Sequence, residues 1–237
     1  MARYKIADVI FSASPKSEYV KDLCKNYLYF GDESEEIHFD ITKEDMEREM
    51  EYAKGLNFPK SVVESLALYR KFLEYAINRN TIILHCSALA AFNEAYLFTA
   101  PSGTGKSTHA KLWREVFNDG VVMINDDKPV IRLVDGEFYV YGTPWNGKHH
   151  LDTNCRAKIK AICSIRQATE NTIRRATTQE MLLVIMNQTI RPTNIEQMDK
   201  LLNLVDLLLN KVQLYSLGCN ISEEAARLSY QTMSKGV

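Results

Sequence analysis

The sequence predicts an α/β fold, organised as a small α/β segment over residues 1–60 and a larger domain over 61–237. Three observations carry that reading. Apolar residues recur at helix spacing near 62–77 and again near 198–212. The stretch between them is dominated by short β-type runs. One of those runs passes directly through a Gly-rich turn into a helix-forming segment. Composition agrees, since 46% hydrophobic and 25% charged residues describe an ordinary globular chain.

In the first segment, 5–11 reads as a strand, and Gly31-Asp32-Glu33-Ser34-Glu35-Glu36 as a surface loop. Residues 42–54 read as an exposed helix with Met46, Met50 and Ala53 on one face. Ser61-Val62-Val63-Glu64 has the spacing of a capping box, in which Ser and Glu satisfy free N–H groups at a helix start. Val62, Leu66, Tyr69, Leu73 and Ile77 then form a helix face, expected to pack on the domain that follows. Strands are expected at 81–84, 95–99, 121–124, 130–134 and 138–141, interrupted by a helix at 108–117. His109 and Lys111 read as a solvated face of that helix. Met198, Leu201, Leu202, Val205, Leu208, Leu209 and Val212 keep a 3.6 period, and a strand at 213–217 precedes a last helix starting near Ser222. The Leu and Met runs at 181–186 and 201–209 read as core.

The charge balance excludes some partners. With 29 Lys+Arg against 30 Asp+Glu, nothing suggests a nucleic acid held by bulk charge. Five cysteines without a C-x-x-C pair argue against a disulfide framework or a zinc knuckle. Residues 1–8 lack the apolar core of a signal peptide. The longest uncharged stretch, 81–93, falls short of the ~18–20 apolar residues that span a bilayer. A cytoplasmic location without membrane attachment is expected.

Chemistry is concentrated at 100–108. Ala100-Pro101-Ser102-Gly103-Thr104-Gly105-Lys106-Ser107 matches the phosphate-loop (Walker A) pattern, with Ala in place of the first Gly. Small residues let consecutive backbone N–H groups wrap phosphate oxygens, and the helix that starts there adds its positive dipole end. Ser102, Gly103, Thr104, Gly105, Lys106, Ser107 and Thr108 are the expected nucleotide contacts. Lys106 reaches the β- and γ-phosphates, and the Ser107 hydroxyl holds Mg²⁺. The buried-strand run Val121-Val122-Met123-Ile124 then delivers Asn125-Asp126-Asp127 at its carboxyl end. Carboxylates there hold Mg²⁺ directly or through water, and one accepts a proton from an attacking hydroxyl; the spacing leaves open which does which, Asp127 being set beside Ser107 for the metal. One helix separates the two motifs, so their strands are expected to be neighbours in the sheet. A third segment, Thr143-Pro144-Trp145-Asn146-Gly147-Lys148-His149-His150, mixes turn formers with an aromatic, a cation and imidazoles. Trp145, Lys148 and His149 are candidate acceptor contacts, a solvated hairpin being the alternative. Adjacent imidazoles lack the spacing of a zinc pair.

Leu84-His85, a strand, Ser102-Gly103-Thr104-Gly105-Lys106-Ser107 and then Asn125-Asp126-Asp127 resemble the catalytic core of HPr kinase/phosphorylase. The core is also similar to that of ATP-dependent phosphoenolpyruvate carboxykinase, which shares that fold. The likeness covers roughly residues 65 to 233 and is closest to the small uncharacterised bacterial members, through Asn125-Asp126-Asp127-Lys128-Pro129, the 141–150 stretch and Leu214-Tyr215-Ser216-Leu217-Gly218-Cys219. A Glu-x-Arg-Gly-like segment of the HPr enzymes has no counterpart here. The resemblance implies a mixed β-sheet P-loop domain, an active-site role for His85 beside Lys106, Asp126 and Asp127, and an Asp that takes a proton from a hydroxyl. It implies a kinase using ATP or GTP with Mg²⁺ and phosphorylating a seryl residue of a peptide or protein, free serine or another small alcohol. A nucleotide-dependent switch or binding module without an acceptor is the other reading, and a homo-oligomer is left open.

Overall fold

The computed structural model describes residues 1–147 and 149–236. The chain divides into two compact units, Met1–Arg79 and Asn80–Val237.

The first unit opens with a hairpin, β1 (Ala2–Ile6) and β2 (Val9–Ala13), where a single strand at 5–11 was expected. Its turn residues Ala7 and Asp8 both have positive φ, the geometry of a tight two-residue hairpin, but lack the usual Gly or Asn signal. After α1 (Glu18–Leu23), strand β3 (Ile37–Phe39) pairs parallel to β2. Helices α2 (Lys43–Tyr52) and α3 (Lys60–Ala76) complete the unit. Phe11 is the centre of its core, with ring centroids 5.5 Å from Tyr4, 4.9 Å from Phe39 and 5.9 Å from Phe72.

Three local expectations change here. Helix α3 belongs to the first unit and touches α1, α2 and β3, so the units divide after Arg79 and not at 60/61. Its start carries no side-chain cap. Glu64 instead turns away and accepts hydrogen bonds from the backbone N–H groups of Lys16 (2.6 Å) and Ser17 (2.9 Å). Helix α2 buries Asp45 and Glu49 while Met50 stays 45% exposed. The cause is α3, which presents Lys71 to Asp45 at 2.8 Å and Arg70 to both Glu49 oxygens.

Among the described residues, the second unit is a mixed nine-stranded sheet with helices α4–α7. In chain order its elements are β4 (Thr81–Ile83), β5 (Cys86–Ala91), β6 (Glu94–Thr99), α4 (Lys106–Phe117), β7 (Val121–Asn125), β8 (Val130–Val134) and β9 (Glu137–Tyr141). There follow β10 (Arg156–Gln167), β11 (Thr172–Arg175), α5 (Thr178–Gln188), α6 (Ile195–Lys211), β12 (Gln213–Cys219) and α7 (Glu223–Lys235). The main path runs β4-β8-β9-β10-β6-β5-β7, and β12 joins β10 to β11. Strand β5 is antiparallel to both β6 and β7 and lies between them. Strands β6 and β7, expected to be neighbours, are therefore not adjacent.

Trp113 on α4 is fully buried among Tyr96, Phe98 and Tyr230, and its Nε1–H donates to Ser229 Oγ at 2.8 Å. His109, expected at the surface, is 2% exposed and shares Ser229 with Trp113. Lys111 is exposed as expected. The apolar runs of α5 and α6 bury only one face. Met181, Ile185, Leu201, Val205 and Leu208 are inside, while Leu183 is 70% exposed.

Candidate active site

Strand β6 ends at Thr99 and the chain turns through 100–105 into α4. Gly103 (φ +79°) and Gly105 (φ +117°) adopt backbone angles that L side chains rarely reach, and a Cβ at either would meet open space. The loop's glycines thus serve conformation and leave its surface bare. Gly105 caps α4 without any side-chain hydrogen bond, so the first-turn N–H groups keep their capacity for an anion. Lys106 is buried, with Nζ donating to Ala100 O at 2.9 Å and Pro101 O at 3.4 Å. Burial lowers the pKa of its ammonium, opposed by Asp127 and Asp126. Ser102 and Thr108 are exposed, Thr104 and Ser107 half-buried. Beside the loop lies a cleft of ≈390 Å³, lined by Gly103, Thr104, Gly105, Thr108, Gln167 and Asn220 among others.

Strand β7 delivers the second half of the site. Asn125 is wholly buried and organises the turn: Oδ1 accepts from the N–H groups of Asp127 (2.8 Å) and Lys128 (2.7 Å). Its Nδ2 donates to Thr143 O at 2.9 Å and Thr143 Oγ1 at 3.1 Å. Asp126 is buried and accepts from Ser87 Oγ at 2.6 Å. Asp127 is half-buried, with Oδ1 3.3 Å from His85 Nε2 and Oδ2 paired with Lys128 Nζ.

His85 stands between β4 and β5, and its carbonyl accepts from Thr99 Oγ1 at 3.1 Å. That bond ties it to the residue from which the glycine-rich loop departs. Burial and the Lys106 charge lower its pKa, with Asp127 opposing.

Residues 144–147 pack on the aspartate turn. A Cβ at Gly147 would lie 3.4 Å from Asp126 O and 3.5 Å from Asp127 Cβ. Trp145, a candidate acceptor contact, is only 5% exposed, and its carbonyl takes part in the Asn125–Thr143 hub. His149 is exposed, and Lys148 lies outside the described residues. The structure therefore groups His85, Lys106, Asp126 and Asp127 at one end of the sheet, with 144–147 alongside. Ser87, Lys128 and Gln188, which contact the acidic pair or His85, were not singled out as site residues from sequence.

Among the described residues, no three His, Cys, Asp or Glu side chains are grouped to hold a metal on their own. One or two carboxylates with a hydroxyl instead suit Mg²⁺, which usually completes its shell with water and substrate phosphates. No helix among the described residues is long and apolar enough to cross a membrane.

No family model and no curated protein matches the chain. Among solved structures it is similar to the HPr(Ser) kinase/phosphatase from Coxiella burnetii, at 13% identity and a TM-score of 0.30. That match covers 54% of this chain and 88% of the other, a likeness too slight to carry a function.

Proposed function

We propose that this protein is an HPr-kinase-like phosphotransferase that moves the γ-phosphoryl group of ATP or GTP to a hydroxyl of a small alcohol, free serine or a seryl residue. The observation that supports it best is the pairing of a bare, glycine-built phosphate loop with a buried lysine and two held carboxylates at one end of the sheet. On this reading the loop N–H groups and Lys106 bind the β- and γ-phosphates. Ser107 and Asp127 hold Mg²⁺, which when bound neutralises charge on the phosphate oxygens.

The acceptor oxygen bonds to phosphorus as the bond to the β,γ-bridging oxygen breaks. The nucleoside diphosphate leaves, and the acceptor's proton passes to a carboxylate of the Asp126–Asp127 pair. The acceptor enters from the side of residues 144–147, where Gly147 adjoins both aspartates.

The test is transfer from γ-³²P-ATP to free serine, seryl peptides and other small alcohols, with nucleotide hydrolysis measured in parallel. A labelled acceptor, lost in Lys106→Ala along with Mg·ATP affinity while the melting curve is kept, is the expected result. Hydrolysis unaffected by any hydroxyl acceptor would favour a nucleotide switch. Mg·ATP binding and turnover unchanged by Lys106→Ala would refute the phosphate-loop assignment.

A further inference from the structure

Strands β6, β10 and β12 lie side by side and run parallel, so the cleft beside the glycine-rich loop opens at the carboxyl ends of all three. Ligands of α/β sheets gather at such strand ends. The ≈390 Å³ of the cleft suits a small molecule, whose sites span about 300–1,000 Å³. Its sides are apolar: Leu112 and Ile165 line it, and so does Ile221, which the fold leaves 80% exposed. The loops beyond β10 and β12 are tied together, Ala168 N–H donating to Cys219 O at 3.0 Å and Asn220 N–H to Asn171 Oδ1 at 3.0 Å. A group bound on the loop N–H groups would therefore have an apolar slot of fixed shape next to it.

Two side-chain amides line the slot, and they differ in what they leave open. Asn220 is committed to the wall: Nδ2 donates to Thr169 O at 3.0 Å, and Oδ1 accepts from Ser222 Oγ at 2.6 Å. Gln167 is exposed, and its Nε2 donates to Thr104 O at 3.2 Å. That bond sets which way the amide lies, since the reversed amide would put two acceptor oxygens against each other. Oε1 and the second Nε2 hydrogen remain, an acceptor beside a donor. Adenine presents the complement, the N6 amino group beside the N7 acceptor, whereas guanine presents two acceptors, O6 and N7. We propose that this cleft takes the purine of the nucleotide and that Gln167 selects adenine over guanine, with Oε1 accepting from N6 and Nε2 donating to N7. This rests on the nucleotide-binding part of the reading above and narrows ATP or GTP to ATP.

The test is calorimetric binding to the full chain, with Mg²⁺, of ATP, GTP and purine riboside triphosphate, which lacks the 6-amino group. Tripolyphosphate serves as the probe without a nucleoside. The wild type should bind ATP about 10-fold tighter than either other nucleotide, the lower part of the range for such an amide pair because Gln167 is exposed. Gln167→Met, which matches the side chain in size and removes the amide, should abolish that preference by weakening ATP most. Ile221→Ser should weaken all three nucleotides and leave tripolyphosphate as it was. Equal wild-type affinity for ATP and GTP, or a preference for ATP that survives Gln167→Met at an unchanged melting temperature, would overturn the proposal. So would nucleotide binding indifferent to Ile221→Ser. Should Gln167→Met melt lower, the wild-type comparison of ATP with purine riboside triphosphate decides alone. If ATP is preferred through Gln167 but no hydroxyl acceptor is ever phosphorylated, the transfer reading falls and the base assignment stands. If no nucleotide binds, both fall.

Discussion

Replacing Asn125 by alanine tests whether the aspartate turn is built by its side chain. The substitution leaves the N–H groups of Asp127 and Lys128 without their acceptor in a partly buried setting, and removes the donor to Thr143 O. A buried polar group stripped of its partner costs about 1–3 kcal/mol, so two N–H groups set an upper range of about 2–6. Water entering the space left by the carboxamide would satisfy part of this, and a net loss of about 3 kcal/mol is expected. At about 2–4 °C per kcal/mol for a unit of this size, the melting temperature should fall by about 6–12 °C. Activity should fall further than stability explains, because Asp127 is set by its own N–H bond to Asn125. Asn125→Asp keeps two acceptors for the N–H groups but faces Thr143 O with another acceptor, so it should fail on the opposite side of the hub. Calorimetric melting together with turnover at a temperature where the variants are folded decides the matter. An alanine variant melting within 2 °C of the wild type, with unchanged kcat, would refute the reasoning.

The aspartates should separate by metal dependence. Asp126→Asn and Asp127→Asn are each expected to lose phosphoryl transfer by about 10²-fold or more, and the variant that lost the metal ligand should recover in part at raised Mg²⁺ or Mn²⁺. Full activity in either would reduce the pair to a turn. In the first unit, burial opposes ionisation of Glu64, but the hydrogen bonds from Ser17 and Lys16 prevail and hold its pKa below the ordinary 4.5. A depressed carboxylate stabilises the fold above its unfolded pKa and loses that contribution as pH falls through the folded one. Glu64→Gln should cost about 1–3 kcal/mol at pH 7 and flatten the acid side of the stability profile; an acid limb identical to the wild type's would refute it.

What could be seen in the sequence follows from the range of the interactions. The glycine-rich turn at 100–105 was legible because its requirements are local: glycines where φ is positive, and a lysine at the start of a helix. Strands β6, β7, β8 and β9 were visible through their β-branched and aromatic residues. Strand β5 was not, since Cys86-Ser87-Ala88-Leu89-Ala90-Ala91 is made mostly of small residues that become strand by being enclosed between β6 and β7. Ser87, a polar residue inside that run, was the one local hint of its role. Gln188 offered none, because its partner is set by α5 returning to the end of β4. His109 was misjudged for a similar reason: its neighbours Ser229 and Phe98 come from α7 and β6.

The interposed strand explains why the site contains a histidine and a serine at all. Two strand spacings, about 10 Å, separate β6 from β7. Because β5 runs against both, it begins where they end, and its entering residues stand between the glycine-rich loop and the aspartate turn. In extended chain, residues two apart share a face. His85 and Ser87 are two apart, and they meet Asp127 and Asp126 respectively. Cys86, between them, binds the turn through its main chain, donating N–H to Asp127 O at 3.3 Å. One antiparallel strand entrance thus places a partner on each carboxylate and fixes the backbone that carries them, which adjacent parallel strands could not do from that end.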